Sequence, residues 1–241
     1  MLSLIIALLI WIALSLAFLP IMHPVAAVIV ALFPAIGALI YITRKMMNKL
    51  QPIMLQAQKQ AQAKQFSLAI KTLESLLPMA KWQIMLKSQI NSQIGMFLYA
   101  DKKEDKALEY LEKGSPRAPD SQMILASMYF KKKDAAKVKE VFDITIRVNK
   151  KQVLLYNAYA FMLNASDDKE GAIAALQKGL KVNADNDATK DNLLRLQNNK
   201  KLNMKPFGMP WYSLQLEKPP MSMMQQQFAG KAGFRKMKKG R

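Results

Sequence analysis

The chain has no cysteine among its 241 residues. That excludes disulfides, thiolate metal sites and dithiol redox chemistry. It has one histidine, His23, too few for a histidine metal cluster or relay, and it reads as a loop residue between two apolar segments. There is no G-x-x-x-x-G-K-[ST] loop and no strand-flanked G-x-G-x-x-G. Two acidic turns stand out, Asp167–Asp168 and Asp185–Asn186–Asp187. These sit where helix ends need capping, and capping is the reading they receive. No catalytic residue, cofactor or metal is therefore expected, and the chain does not read as an enzyme.

A further absence concerns charge. Residues 1–43 contain no Lys, Arg, Asp or Glu. Within them, residues 2–19 form one uncharged apolar run and residues 25–42 a second. An α-helix rising ~1.5 Å per residue just spans a bilayer core of roughly 30 Å at that length. Pro20 ends the first run, and Pro24 suits the first turn of the next helix. The reading is a transmembrane helical hairpin over residues 1–47, with spans at about 2–19 and 25–42. A secretory signal peptide fits poorly, because no basic stretch precedes the first run and a second run follows at once. Arg44, Lys45 and Lys49 all follow the second span, so both termini are expected on the cytoplasmic side. Ala27, Ala31 and Ala35 recur every four residues, a spacing that lets helices approach closely in lipid. Pro34 is expected to kink the second helix.

What is present in excess is positive charge, a formal +19. Residues 201–241 hold nine basic residues against Glu217 alone. Such an excess favours anionic surfaces, whether phospholipid headgroups or RNA.

Residues 48–200 are amphipathic and periodic. Lys106–Gly114, Lys137–Thr145 and Gly171–Gly179 each place a small or β-branched residue, a large apolar residue four on, and a small residue three further. The markers Ala107, Val138 and Ala172 lie 31 and 34 positions apart. A period near 34 marks stacked helix–turn–helix units. The Gln-rich residues 56–65 read as a linker or as a helix of good formers, within a degenerate first unit over residues 50–83.

These units resemble the tetratricopeptide repeat. In residues 153–186 the pattern falls on Tyr156, Tyr159, Ala160, Leu163, Ala172, Leu176 and Gly179. In residues 119–152 it falls on Leu125, Ala126, Tyr129, Val138, Phe142 and Thr145, with Gln122 departing from it. In residues 88–118 it falls on Ile94, Gly95, Leu98, Ala107, Leu111 and Gly114, with Asn91 departing. Residues 187–199 suit a polar closing helix. The resemblance implies an all-α chain in which a short helical solenoid follows the hairpin. It also implies a concave groove lined by the first helix of each unit. The groove positions are Ser92, Met96, Tyr99, Met123, Ser127, Phe130, Asn157, Phe161 and Asn164. Such a groove would take a segment of a protein partner, unless these residues simply pack between units.

After Lys200 the periodicity fails, and Pro206, Pro210, Pro219 and Pro220 interrupt the chain. Residues 201–241 read as a disordered basic tail. Its terminal cations are Lys231, Arg235, Lys236, Lys238, Lys239 and Arg241. An apolar patch, Pro206–Tyr212, is expected either to stay solvated or to fold back into the groove as an internal ligand.

The functional expectation is a membrane-anchored scaffold that recruits a protein partner to the cytoplasmic face. The alternative is a tether whose tail contacts ribosomal RNA or anionic lipid. The expected location is an integral membrane position in, by analogy of layout, a bacterial inner membrane.

Overall fold

The computed structural model describes residues 2–221. Every regular element among the described residues is a helix. The chain divides into two compact units, Met1–Ser121 and Gln122–Arg241.

The first unit opens with α1 (Leu2–Phe18) and α2 (Pro24–Gln62). These lie side by side, joined by a hydrogen bond from Trp11 Nε1 to the Val28 carbonyl at 3.0 Å. Ala7, Ala27, Ala31 and Ala35 are buried, while Leu9, Leu16, Val25 and Phe33 point outward. This is an inside-out distribution for water: the smallest side chains fill the contact and the largest face away. It suits helices whose surroundings are themselves apolar. Of the described helices, α2 is long and apolar enough to cross a membrane, whereas α1, with 17 residues, is apolar but shorter.

One sequence expectation needs revision here. The helix that carries the second apolar run does not end near residue 42, where the run itself ends. The helix continues unbroken for 39 residues, through both Pro34 and Pro52. At ~1.5 Å per residue it is roughly 58 Å long. Its far end is the Gln-rich stretch, which takes the helical one of its two readings as far as Gln62. Alternating Gln, Ala and Lys are good helix formers, and Leu50 and Ala57 are buried, which anchors that end by packing.

The rest of the first unit is α3 (Phe66–Glu74), a 3-10 turn (Leu77–Lys81), α4 (Leu86–Ala100) and α5 (Glu104–Glu112). The helix α6 (Pro119–Lys131) begins in this unit and lies mostly in the second, followed by α7 (Ala135–Val148), α8 (Val153–Ala165), α9 (Lys169–Val182) and α10 (Asp187–Gln197). The expected caps are in place. Asp168 Oδ1 accepts from the Gly171 amide at 2.8 Å, and Asn186 Oδ1 accepts from the Thr189 amide at 2.9 Å. Asp134 does the same for α7.

A repeat is also written in the backbone. Lys64, Lys102, Lys133, Asp167 and Asn199 all have left-handed φ between 55° and 65°. They fall at intervals of 38, 31, 34 and 32 residues. Each sits just after a helix, and each is followed by the same long hydrogen bond back into that helix. These bonds run from Gln65 N to Gln60 O, Lys103 N to Leu98 O, Asp134 N to Tyr129 O, Asp168 N to Leu163 O and Lys200 N to Arg195 O. This six-to-one closure is the Schellman turn, which satisfies carbonyls orphaned at a helix end. The layout is thus repeat-like, and the turn recurs after α10.

The segment after that turn is the largest departure from the sequence reading. Residues 200–221 are not a featureless tail. Lys205–Phe207 forms a 3-10 turn and Gly208–Tyr212 forms the short helix α11. Pro206 and Pro210 stand in the opening turns of these elements, where a missing N–H is harmless. Gly208 has φ +59° and ψ −145°, a conformation open essentially to glycine. Met204, Trp211, Tyr212 and Leu214 are buried. They give this segment the apolar anchors that its prolines seemed to deny it. The terminal cations Lys231, Arg235, Lys236, Lys238, Lys239 and Arg241 lie outside the described residues.

Candidate functional site

The nine groove positions come to different ends. In the first unit Ser92 and Tyr99 are buried. Ser92 Oγ accepts from the Ser115 amide at 2.8 Å and so ties α4 to the loop after α5. Ser92 and Met96 line a hollow of about 290 Å³ together with Met54, Gln93, Arg117 and Asp120. Burial pushes the Asp120 carboxyl above the usual carboxylate range.

In the second unit Met123, Ser127 and Asn157 are buried. Ser127 Oγ donates to the Ile124 carbonyl at 2.7 Å. Asn157 is the hub of a polar network. Its Nδ2 donates to the Val153 carbonyl at 3.0 Å and to Thr189 Oγ1 at 2.8 Å, while its Oδ1 accepts from Asn192 Nδ2 at 2.9 Å. Asn192 in turn accepts from the Asn203 amide at 2.7 Å. The carboxamide is therefore committed to holding α8, α10 and the following strap together. Phe161 and Asn164 are half-buried. Phe161 meets Trp211 edge-on with ring centroids 4.7 Å apart. The Pro206–Tyr212 patch thus folds back onto one groove position. Trp211 Nε1 donates to Glu217 at 2.7 Å, which lets the indole be wholly buried.

Phe130 belongs to a different feature, a cleft of about 910 Å³ in the second unit. Its floor is apolar: Phe130, Val138, Tyr159, Leu163 and Ala175. The cleft is wide because α7 and α9 contribute small residues, Ala135, Gly171 and Ala174, to its walls. A Cβ at Gly171 would meet the Asp168 carboxylate that caps α9, so any larger residue there would have to displace that carboxylate. Tyr159 is held from below by the Phe142 ring, stacked at 4.6 Å.

The rim is basic. Lys131, Lys133, Lys139 and Lys178 stand around the cleft against one carboxylate, Asp168. The Tyr159 hydroxyl is pushed up to about 12, first by burial and then by the negative charges of Asp143 and Asp168. It stays a neutral hydroxyl, able to donate or accept, throughout the physiological range. A volume of this size is within the range of small-ligand and peptide-anchor sites. An apolar floor ringed by four ammonium groups suits a ligand with a greasy body and an anionic edge.

The lysines were missed in the sequence because the repeat pattern assigns their neighbours to packing. The available signal was the run Lys131–Lys133, with Lys139 six residues on. Val138, Tyr159 and Leu163 fit interior positions of the repeat pattern, yet each also lines the cleft. No protein-family model matches this chain, and no curated protein matches it.

Proposed function

We propose that this protein is a membrane-anchored adaptor of tetratricopeptide-like build that binds an acidic, apolar-anchored segment of a partner protein. In this reading α1 and α2 form a two-span hairpin with both termini on the cytoplasmic side, and the helical units stand at the membrane surface. The observation that carries the binding role is the lysine-rimmed apolar cleft over Phe130, Tyr159 and Leu163. Aromatic and aliphatic anchors would enter the floor, and carboxylates would meet the rim. Charge complementarity of this kind steers encounter and selects partners, and it weakens with salt. The outward-facing large apolar residues of α1 and α2 support the anchoring role.

The test is in-cell crosslinking with benzoylphenylalanine at Phe130 in the full chain. The expected result is a discrete adduct whose crosslinked peptide is acidic. It should vanish when Lys131, Lys133, Lys139 and Lys178 are changed together to Glu, with unfolding midpoint retained. An adduct indifferent to those four changes, or no adduct, overturns the proposal.

A further inference from the structure

We propose that the turn Leu77–Met85 is a membrane-interface element, with Trp82 and Ile84 seated at the lipid–water boundary beside the start of α1. The inference rests on the reading of α1 and α2 as a membrane hairpin.

Ser3, on the first turn of α1, is buried. Its hydroxyl donates to the Trp82 carbonyl at 2.6 Å, and its amide points at the same oxygen at 3.5 Å. The first amides of a helix have no partner within it. In an apolar medium such groups must be satisfied by protein. A carbonyl 79 residues away does this for Ser3.

That contact also sets a depth. Trp11 Nε1 bonds the Val28 carbonyl, so these two residues lie at neighbouring levels of the pair. Counting from there to Ser3 at ~1.5 Å per residue brings Ser3 level with the last apolar turns of α2. Tyr41, Arg44 and Lys45 follow within about two turns, and the Lys45 ammonium lies 5.9 Å from the Tyr41 ring centroid. This is the aromatic and cationic composition that marks a bilayer boundary.

The turn matches that level. Trp82 and Ile84 are 36% and 53% exposed, an unusual state for two large apolar side chains in one short connection. Lys81 and Lys87 flank them, and long basic side chains reach readily from an apolar boundary to water. Trp82 thus continues the outward apolar surface of Leu2 and Leu4 onto the helical unit. The occupant that covers such a continuation is the same bilayer that covers the hairpin. The consequence is a second attachment point: the unit is held at the surface through α2 and again through this turn.

The absence of native cysteine allows a direct depth measurement. Nitroxide labels would be placed on Leu9→Cys in α1 and on Ile84→Cys, both exposed sites. The full chain would be reconstituted in phosphatidylcholine–phosphatidylglycerol vesicles. Collision with oxygen and with a water-soluble nickel chelate would be read for each label, with free label in water as reference. The expected result is a Leu9 site inside the hydrocarbon and an Ile84 site at shallow depth, its nickel collisions severalfold below the reference. A Leu9 site in hydrocarbon with an Ile84 site as accessible as free label overturns this inference and leaves the hairpin standing. A Leu9 site as accessible as free label overturns both.

Discussion

Phe161 and Trp211 meet edge to face with ring centroids 4.7 Å apart, although fifty residues of chain separate them. Edge-on pairs at this distance add to ordinary area burial. The contact seats the segment after α10 against α8, where Leu202 also packs on the cluster of Ala160, Ala172 and Leu196. The segment stands where a repeat array would otherwise expose its last apolar face.

Changing Trp211 to Ala should therefore destabilise the protein by about 3–5 kcal/mol, the usual range for deleting a buried aromatic. Urea unfolding of the full chain in mild detergent, followed by circular dichroism, measures this. A loss below about 1 kcal/mol would mean the strap is dispensable.

Asn157 and Asn192 should be energetically coupled. Each single change to Ala removes hydrogen bonds worth about 1 kcal/mol each. Because Asn157 Oδ1 accepts directly from Asn192 Nδ2, a double-mutant cycle should return a coupling of about 0.5–3 kcal/mol. Strict additivity would show that the two carboxamides act separately.

Three glycines should respond differently to alanine. At Gly95 a Cβ would lie 2.6 Å from Leu111 Cγ and 3.1 Å from the Leu111 amide nitrogen. At Gly179 it would lie 2.9 Å from both Cβ and Cγ of Tyr156. Overpacking of about 1–3 kcal/mol should outweigh the ~1 kcal/mol gain in helix propensity, so both variants lose stability. At Gly37 nothing lies within 4 Å, and alanine there should cost nothing sterically. Equal unfolding midpoints for all three would refute this account.

Tyr159 predicts an alkaline limit. Its folded value is raised above the ordinary 10 to about 12, by burial and by Asp143 and Asp168. The folded state therefore holds this proton more tightly than the unfolded one. The associated stability is complete below pH 10 and is lost as pH rises from 10 toward 12. Absorbance titration of tyrosinate should show one group ionising near 12 that is missing in Tyr159→Phe. A Tyr159 that titrates at 10 contradicts the site geometry.

The left-handed turns offer a last test. Lys64 holds φ +63° with a Cβ that this region disfavours. Lys64→Gly should relieve up to about 1 kcal/mol of strain and raise the unfolding midpoint. A lowered midpoint would show that the lysine contributes more than its backbone costs.

Much of the helical frame was legible because helix packing leaves local marks. Ala107, Val138 and Ala172 announce close helix crossings, and Asp168 and Asn186 announce helix starts, each through residues a few positions apart. The extent of α2 was not legible. Polarity changes at Arg44 and again at Gln56, but the backbone has no reason to stop at either point, since neither proline removes enough to break so long a helix. Of the groove set, Phe130 alone lines the cleft. Ser92, Ser127 and Asn157 are polar residues turned inward, and a pattern that scores side-chain size cannot tell a groove hydroxyl from a buried one.

The all-helical class, the apolar N-terminal stretch, the period of helix–turn–helix units and most of the caps follow from local sequence. These depend on composition and on spacings within one or two turns. Four features depend on long-range packing: the closing strap under Trp211, the asparagine hub, the lysine rim and the bond between Ser3 and Trp82. Each joins residues distant in sequence through contacts that depend on how helices are placed in space. Placement follows from the summed packing of many side chains, which leaves no short-range signature to read.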